Sequence, residues 1–564
     1  MDMLSRLKRK LAGMSISQGI TLLIFVTVLT VTMVLPLIQM LRMAFLGEGG
    51  VFVGLENYRR YFGNPLLARS IRNTIDISFW TTIISTTLGF FYAYGLTRSN
   101  IKFKTFFRYT ALIPIFIPTV VHALGLIYLF GRQGILTRAF NLDIEIYGRL
   151  GIIMAEVIFT FPQAFLMFLV ALKFTDGRLY EAADAMGIPA WKKMFFITLP
   201  EIKYTVVNVL FVCFTLAFTD FGAPKVLGGQ FNVLATDIYQ QVVGQFNMNM
   251  GAVVGTLLLV PAFASFIADR VISSKNAGTL SAKATTLVIK KSYARDGFFY
   301  VFCTAITASL LLLVGALFVG AFAYFYPFNM AFTLRHFDFP QAQGGINAFY
   351  NSLLMAGLTA VLGTIFVFVY AYLMEKVNGF GGIQRYGKLL GILPLAVPGM
   401  VIGLSFIFFF NSQANPLHFI FGTIIILVLA NVISFFSVPF LTISACLKKL
   451  DKEYESVGDS MSIPRWKTFL RVSVPLSLPA ILESSMYFFV NAMVTVSAMV
   501  FLVSPRFNIA AVAITQMEEN GRPSQAAAMA LLIFGINISV RILYEVSVKL
   551  IQFKLRKRET TNGN

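Results

Sequence analysis

The chain contains 564 residues, of which 57% are apolar and 13% are charged, and its mean hydropathy is +0.75. A soluble protein carries about 25% charged residues, so this composition excludes a soluble globular protein and indicates an integral membrane protein. The net charge of +20 does not predict nucleic-acid binding, because the basic residues form short clusters between long apolar runs instead of one basic face. Cys213, Cys303 and Cys446 lie in or beside apolar runs, which excludes a disulfide framework and a cysteine-ligated metal site.

Twelve segments are long and apolar enough to cross a bilayer, which takes about 20 residues of helix because lipid cannot hydrogen-bond a bare backbone. These predicted spans are 18–45, 72–97, 105–130, 148–173, 200–221, 250–271, 298–324, 350–374, 389–410, 419–445, 476–503 and 526–550. The uncharged run over residues 19–39 is too long for a signal peptide, so the first span is predicted to be an uncleaved anchor. The distribution of Lys and Arg, including the basic tail 554–558, predicts that both termini are cytoplasmic.

The second half of the chain repeats the first in residue type and in position. The matching motifs are Asn73-Thr74 with Asn351-Ser352, Tyr92-Ala-Tyr94 with Tyr370-Ala-Tyr372, Pro114 and Pro118 with Pro394 and Pro398, and Phe231-Asn232 with Phe507-Asn508. An even number of spans in each copy leaves both copies in the same orientation. We therefore predict an all-α membrane protein with twelve transmembrane helices. Its first six-helix repeat covers 1–271, a cytoplasmic connector covers 272–297, and a second, parallel repeat covers 298–564.

Two matching segments, 176–200 and 451–475, follow the fourth span of each predicted repeat. They share Asp184 with Asp459, Met186 with Met461, Ile188 with Ile463, Pro189 with Pro464, Trp191 with Trp466 and Lys192 with Lys467, all at one constant offset. The first segment has an Ala-rich stretch, then Gly187 where a left-handed helix cap is needed, then Pro189, which suits the start of another helix. This pattern predicts a stiff helix–turn–helix. Ala182, Ala183 and Met186 fall on one face that suits a groove on another protein, and a structural elbow is the alternative.

The pattern Glu-Ala-Ala, three residues, Gly and a later Leu-Pro over 181–200 resembles the coupling loop of inner-membrane permeases of type I binding-protein-dependent ABC importers, which have the MetI-like fold. The resemblance covers nearly the whole chain, in the fused form of such permeases. It implies that both segments, called coupling segments below, dock on a cytoplasmic ATPase. The residues assigned to this contact are Glu181, Ala182, Ala183, Gly187 and Pro189 in the first segment, and Ser456, Asp459, Ser462 and Pro464 in the second. Ser456 and Ser462 replace the Glu and Gly of the pattern, so the two contacts need not be equivalent.

The same resemblance implies the partners and the cellular location. They are a dimer of cytoplasmic ABC ATPase subunits, a periplasmic or extracellular solute-binding protein and the lipid of a bacterial inner membrane. The sequence contains no Gly-x-x-x-x-Gly-Lys-Ser/Thr loop, so ATP and Mg²⁺ are expected on the separate ATPase, and this chain is expected to bind no cofactor and to be no enzyme. The stretch 219–239 resembles fused permeases for 2-aminoethylphosphonate, and ferric-iron permeases share the fused form, which leaves a phosphonate or ferric iron as the predicted substrate.

Polar residues within the predicted spans are the candidates for a solute pathway, because a charge in hydrocarbon persists mainly where function needs it. His122 and Asp220 are the predicted pathway residues, with a buried core histidine and a turn-capping aspartate as the respective alternatives. Arg541 and Glu545 are four residues apart and are predicted to pair with each other. Glu156 and Glu483 stay unassigned at this level.

Two other functional classes remain as alternatives. A twelve-helix secondary transporter driven by an ion gradient is also built from duplicated six-helix units, but it has no need of two matching cytoplasmic segments. A membrane-embedded enzyme needs converging catalytic groups, and the sequence offers only three histidines, no His-Glu-x-x-His and no paired Asp motif. We therefore predict no catalytic residues and no metal site in this chain.

Overall fold

The computed structural model describes residues 16–276, 289, 291–377, 380–451 and 453–562, and these are mostly helical. Half of the predicted connector, 277–288 and 290, lies outside the described residues. Among those described, the strands Ala323–Phe325 and Asn329–Phe332 form one antiparallel hairpin. The rest of the described chain is organised by long helices.

Seven described helices are long and apolar enough to cross a membrane, or up to eleven if bent pairs are counted as single spans. The seven are Gln18–Met43, Thr119–Phe140, Arg149–Lys173, Met248–Ala268, Tyr293–Phe322, Gln341–Lys376 and Pro523–Ile551. The bent pairs are Trp191–Glu201 with Lys203–Thr219, Gly381–Ala396 with Gly399–Phe410, Ile424–Ser434 with Ser437–Lys449, and Arg465–Leu476 with Leu478–Val494. The predicted count of twelve is therefore not reached by apolar helices alone.

The predicted span 72–97 lies within Pro65–Arg98, a helix of 34 residues that is rich in Ser and Thr. Its hydroxyl groups donate back to carbonyls four residues earlier, as Thr74 does to Ser70 (2.7 Å) and Thr82 to Ser78 (2.6 Å). Ser85 bonds Thr160 of the helix Arg149–Lys173 (2.6 Å). Much of the polar face is thus hydrogen-bonded and buried inside the protein, which explains why this helix is less apolar than its neighbours.

Prolines interrupt the third span of each repeat. The helix Lys104–Thr110 gives way to a 3₁₀ turn at Ile113–Phe116, and a new helix begins after Pro118. In the second half, the 3₁₀ turn Leu393–Ala396 is followed by a helix beginning after Pro398, with a bend of 113°. The predicted spans 105–130 and 389–410 are therefore broken helices and not continuous ones, because proline lacks the N–H that a helix interior requires.

The repeated motifs make the same contacts in both halves. The side chain of the first asparagine donates to a backbone carbonyl near the end of its repeat, and the hydroxyl that follows it accepts from a backbone N–H two residues further on. These bonds are Asn73 Nδ2 to Asn232 O (2.9 Å) and Leu234 N to Thr74 Oγ1 (2.9 Å), matched by Asn351 Nδ2 to Asn508 O (3.0 Å) and Ala510 N to Ser352 Oγ (2.7 Å). The tyrosines match as well, with Tyr92 and Tyr370 donating to the carbonyls of Phe107 and Gly387.

The described chain forms two compact units. The first-half unit comprises Met43–Gly345 and Ala511–Leu531, and the second-half unit comprises Ile346–Ala510 together with the described residues up to Arg42 and from Leu532 onward. The first helix of the chain thus packs in the second-half unit, where Phe25 stacks on Phe366 (4.7 Å between ring centroids). The helix Tyr293–Phe322 packs in the first-half unit, where Thr307 bonds Tyr92 (2.9 Å). The compact units therefore differ from the linear sequence halves.

Both coupling segments have the same backbone. A short helix, Gly177–Ala185 or Glu453–Ser460, ends at a residue with positive φ and is followed by a helix that begins after a proline. That second helix, starting at Ala190 or Arg465, includes a π-helical turn, Met194–Thr198 or Phe469–Ser473, shortly before Pro200 or Pro475. The chain then bends by 76° and 74°, respectively, into the next span. Because proline has no backbone N–H, one helical hydrogen bond is missing at Pro200 and at Pro475, and the π-helical turn before each proline accommodates that gap.

The residue with positive φ differs between the two segments. Ile188 N donates to Ala183 O (2.9 Å) and Ile463 N to Gly458 O (2.8 Å), so each short helix ends in a Schellman-type cap. This cap places Gly187 at φ +70° and Ser462 at φ +56°. Glycine adopts such values freely, whereas an L-residue with a side chain does so at a cost of roughly 1–2 kcal/mol. The second segment therefore carries backbone strain that the first one lacks.

Replacing Ser462 by glycine is expected to raise the free energy of unfolding by about 1 kcal/mol, because it removes this strain. The reciprocal Gly187→Ser variant is the matched control and is expected to lower it by a similar amount. Thermal unfolding of the purified protein in detergent measures both changes. A lower unfolding temperature for Ser462→Gly would show that the serine is not strained.

Candidate functional site

The first coupling segment presents an exposed surface at its turn. Glu181, Ala182 and Pro189 are exposed, the Met186 side chain is 74% exposed and that of Trp191 is 61% exposed. A Cβ at Gly187 would meet no atom within 4 Å. Ala183, also predicted for this contact, is only 3% exposed and packs against its own unit instead of lying on the exposed surface. A short helix lying on its unit has to bury one side, and the residue after Ala182 falls on that side.

Several polar contacts hold the first coupling segment rigid. Asp176 caps the short helix by accepting from Arg178 N (3.1 Å), and its own N–H donates to Glu201 Oε1 (2.7 Å). Tyr180 and Thr198 share a hydrogen bond between their hydroxyl groups (2.8 Å). Lys193 forms an ion pair with Asp184. These contacts tie the short helix to the helix that leads into the span.

The second coupling segment presents a similar surface with different supports. Met461 is 67% exposed, Trp466 is 61% exposed, and Ser462 and Pro464 are exposed. The side chains of Ser456 and Asp459 lie outside the described residues, although their backbone belongs to the helix Glu453–Ser460. Thr468 stands where the first segment has Lys193, so the ion pair has no equivalent. Instead, Arg465 donates to Gln18 Oε1 (2.8 Å) of the first helix in the chain.

Asp220 lies where the helix Lys203–Thr219 ends. Its Oδ1 accepts from Thr119 Oγ1 (3.0 Å), and its Oδ2 accepts from Ala223 N (3.0 Å). The capping alternative for Asp220 is thus present, and the Thr119 bond adds a contact to the break in the third span. The close approach depends on Gly222, because a Cβ there would overlap the Thr119 hydroxyl.

Glu156 lies beside Asp220 and was not assigned from the sequence. Its side chain is fully buried, neither carboxylate oxygen makes a well-formed hydrogen bond, and Asp220 is its charged neighbour. Spacing along the chain offers no signal for this pairing, because the two residues come from different helices. The equivalent positions of the second half hold the neutral residues Asn431 and Thr495.

His122, the other predicted pathway residue, is fully buried one helical turn after Thr119. Its ring lies near the Pro114 carbonyl and 6.5 Å from the Phe159 ring. Neither ring nitrogen makes a well-formed hydrogen bond. The structure therefore brings Asp220 together with Thr119 and Glu156, and it directs His122 towards the proline break.

The remaining charged candidates are accounted for by pairs. Arg541 and Glu545 form the predicted ion pair (3.1 Å), and Glu483 is exposed. Lys225, which could have favoured an anionic solute, pairs with Glu519 (2.5 Å) and lies over the Tyr239 ring. Lys225 is therefore neutralised by the Glu519 carboxylate and provides no unpaired positive charge. The neighbouring acid Glu518 is buried close to Glu519, and this raises the pKa of Glu518 to about 7.

Comparisons with known proteins agree with this architecture. A family model described as "Binding-protein-dependent transport system inner membrane component" matches residues 85–277 and 382–552. A putative ferric transport system permease protein, FbpB 1 of Haemophilus influenzae, is 29% identical over 80% of this chain and 72% of its own length. The ferric transport system permease protein FbpB of Actinobacillus pleuropneumoniae is 28% identical over 87% of this chain and 72% of its own.

Among solved structures, a bacterial alginate ABC transporter in complex with an alginate pentasaccharide-bound periplasmic protein aligns with 50% of this chain and 100% of its own chain, at 19% identity and a TM-score of 0.42. That score is too low to establish a shared fold, so the assignment rests on the sequence matches. Because the family model matches twice and covers more than half of the residues, the chain belongs to the inner-membrane components of binding-protein-dependent transport systems, as a fused permease of the ABC importer type.

Proposed function

We propose that this permease docks a pair of cytoplasmic ATPase subunits through its two coupling segments and converts their motion into alternating access. One observation carries the proposal. Two segments far apart in the sequence share a helix, a left-handed cap, a second helix and a bend of 76° or 74°, and both expose a Met and a Trp at the turn. Two exposed apolar turns of the same shape fit two copies of one partner better than they fit a mere connection between spans.

The bracing of the first segment supports a role as a lever. Tyr180 is bonded to Thr198, and the backbone of Asp176 is bonded to Glu201, so the short helix cannot move without the helix Leu199–Glu201. That helix leads through the bend into the span Lys203–Thr219. A displacement at Met186 and Trp191 is therefore transmitted to the span Lys203–Thr219, because no flexible loop separates them.

The topology that this role requires has twelve spans. Counting each bent pair once and adding the Ser- and Thr-rich helix Pro65–Arg98 to the apolar helices gives that number. An even number places both termini on one side, and the basic tail supports the cytoplasmic side. Both coupling segments then face the cytoplasm. ATP and Mg²⁺ belong to the ATPase subunits, and a solute-binding protein outside the membrane delivers the solute.

The docking role predicts that Gly187→Asp abolishes association with the ATPase, because it puts a charge and a side chain on an exposed apolar turn. Recovery of the ATPase with the affinity-tagged permease is expected to fall by roughly tenfold or more, equivalent to about 1.4 kcal/mol or more of binding free energy. Gly229→Asp is the matched control, since Gly229 also has positive φ (+56°) and open space around it but lies in a predicted outer segment.

Undiminished recovery of the ATPase with membrane-inserted Gly187→Asp would contradict docking at this segment. Equal losses for Gly187→Asp and Gly229→Asp would indicate a general folding defect. The corresponding substitution in the second segment, Ser462→Asp, tests whether the two contacts differ in strength.

For the solute, we propose ferric iron. Two relatives that match 80% and 87% of this chain, at 29% and 28% identity, are ferric transport system permeases. The phosphonate alternative rests on the resemblance of 219–239, and Lys225 in that stretch is neutralised by Glu519. An acidic pair, Glu156 with Asp220, lies inside the first-half unit, which suits a cation better than an anion.

The substrate proposal predicts that the complex reconstituted with its binding protein and ATPase takes up ferric iron when ATP is supplied. The measurement is uptake of radioactive ferric iron by sealed vesicles, with labelled 2-aminoethylphosphonate assayed in parallel. An ATPase variant lacking its phosphate-binding lysine is the control and is expected to show no uptake. Uptake of the phosphonate without uptake of ferric iron would overturn the substrate proposal and leave the docking proposal standing.

A further inference from the structure

We propose that Glu156 and Asp220, with the Thr119 hydroxyl, form a transit site for a hard metal cation inside the first-half unit. The inference rests on the proposed function and deepens it by assigning residues to the cargo. It starts from a juxtaposition of carboxyl groups on two elements, the helix Arg149–Lys173 and the end of the helix Lys203–Thr219. The third group comes from the start of the helix Thr119–Phe130.

The two carboxyl groups have no cationic partner within the described residues. No Lys or Arg nitrogen of the described chain lies within ion-pair distance of Glu156 or Asp220, in contrast to Lys225, Arg149 and Arg541, which pair with acids. Adjacent carboxylates repel each other, and burial in a membrane protein adds a large desolvation cost. The pair is therefore at its most stable when a positive charge joins it, either as a proton or as a bound cation.

The arrangement leaves coordinating capacity free. Neither oxygen of Glu156 receives a hydrogen bond from an N–H or hydroxyl group although the side chain is fully buried, and its polar neighbour is the Asp220 carboxyl group. Each Asp220 oxygen accepts one hydrogen bond, from Thr119 or from Ala223 N, and retains a second lone pair. Asp220 is partly exposed, whereas Glu156 is fully buried.

The donor set determines the class of ligand. Carboxylate and hydroxyl oxygens are hard ligands and select hard cations. Within the described part of the chain, no group of three His, Cys, Asp or Glu side chains is placed to hold a metal ion, so the pair alone cannot complete a coordination shell. Weak, incomplete coordination suits a site that a moving ion must enter and leave.

The equivalent positions of the second half carry neutral side chains. Asn431 replaces Glu156, and its side-chain amide donates to Leu427 O (3.1 Å) and to Met355 Sδ (3.2 Å). Thr495 replaces Asp220. The surrounding backbone also differs, since Arg149–Lys173 is one helix whereas Ile424–Ser434 and Ser437–Lys449 are bent by 56°, so the acidic pair is a feature of the first half alone.

The test measures binding of ferric iron, supplied as ferric citrate, to the purified full-length permease in lipid nanodiscs by equilibrium dialysis. The wild-type chain is expected to bind it, and Glu156→Gln and Asp220→Asn are expected to weaken binding roughly tenfold or more, because each removes a charged oxygen ligand. Thr119→Val is expected to weaken it less. Asp237→Asn is the matched control, since Asp237 is also a buried carboxyl group of the first-half unit without a well-formed hydrogen bond; it is expected to bind like wild type.

The same variants are then assayed for ATP-driven uptake in the complete complex. Loss of uptake in Glu156→Gln with normal ATPase recovery supports the transit site. Equal binding by wild type and Glu156→Gln overturns it, as does the absence of ferric binding to wild type, which would mean that the pair holds only a proton. If the wild-type complex takes up no ferric iron, the proposed substrate fails, and the dialysis result still decides whether the acidic pair binds a hard cation. Asp220→Asn and Thr119→Val keep the test decisive if Glu156→Gln does not fold.

Discussion

The bends at Ile202 and Ser477 are the constraint on which the coupling segments depend, because each segment continues through its bend into the following membrane span. Backbone hydrogen bonds continue across both bends, from Ile202 N to Thr198 O (3.1 Å) and from Val206 N to Ile202 O (3.0 Å), and likewise around Ser477. Pro200 and Pro475, two residues before these bends, produce them because proline lacks a backbone N–H. The preceding π-helical turn accommodates the missing hydrogen bond. A bend with its hydrogen bonds retained is a stiff elbow and not a flexible hinge, which is what transmission of force requires.

The two coupling segments keep the same backbone but differ in the side chains they carry. Gly187 corresponds to the strained Ser462, and the ion pair of Asp184 with Lys193 has no equivalent because Thr468 replaces the lysine. The close contact near the proline break is also exchanged between the two halves. In the first half the glycine, Gly222, follows the fifth span and faces the hydroxyl of Thr119 after the proline. In the second half the glycine, Gly399, follows the proline and faces the hydroxyl of Ser497. Under the proposed function, such differences would make the contacts of the two halves with cargo and ATPase unequal.

Much of this architecture could be predicted from sequence because it depends on local patterns. Apolar length predicted most of the spans, and the repeated Asn73 and Asn351 motifs make equivalent hydrogen bonds. The burial of Ala183 and the pairing of Glu156 with Asp220 could not be predicted, since both depend on which helix faces which. The placement of each half's first long helix in the other compact unit also follows from long-range packing, about which periodicity carries no information.

The central claim is that an external ATPase drives this permease through the coupling segments. The most direct measurement is solute uptake by sealed vesicles containing the complete complex, with all ion gradients collapsed by ionophores and ATP enclosed with the ATPase. Uptake is expected to persist under these conditions and to stop when residues 181–187 are deleted. Accumulation that needs an ion gradient and proceeds without nucleotide would contradict the account.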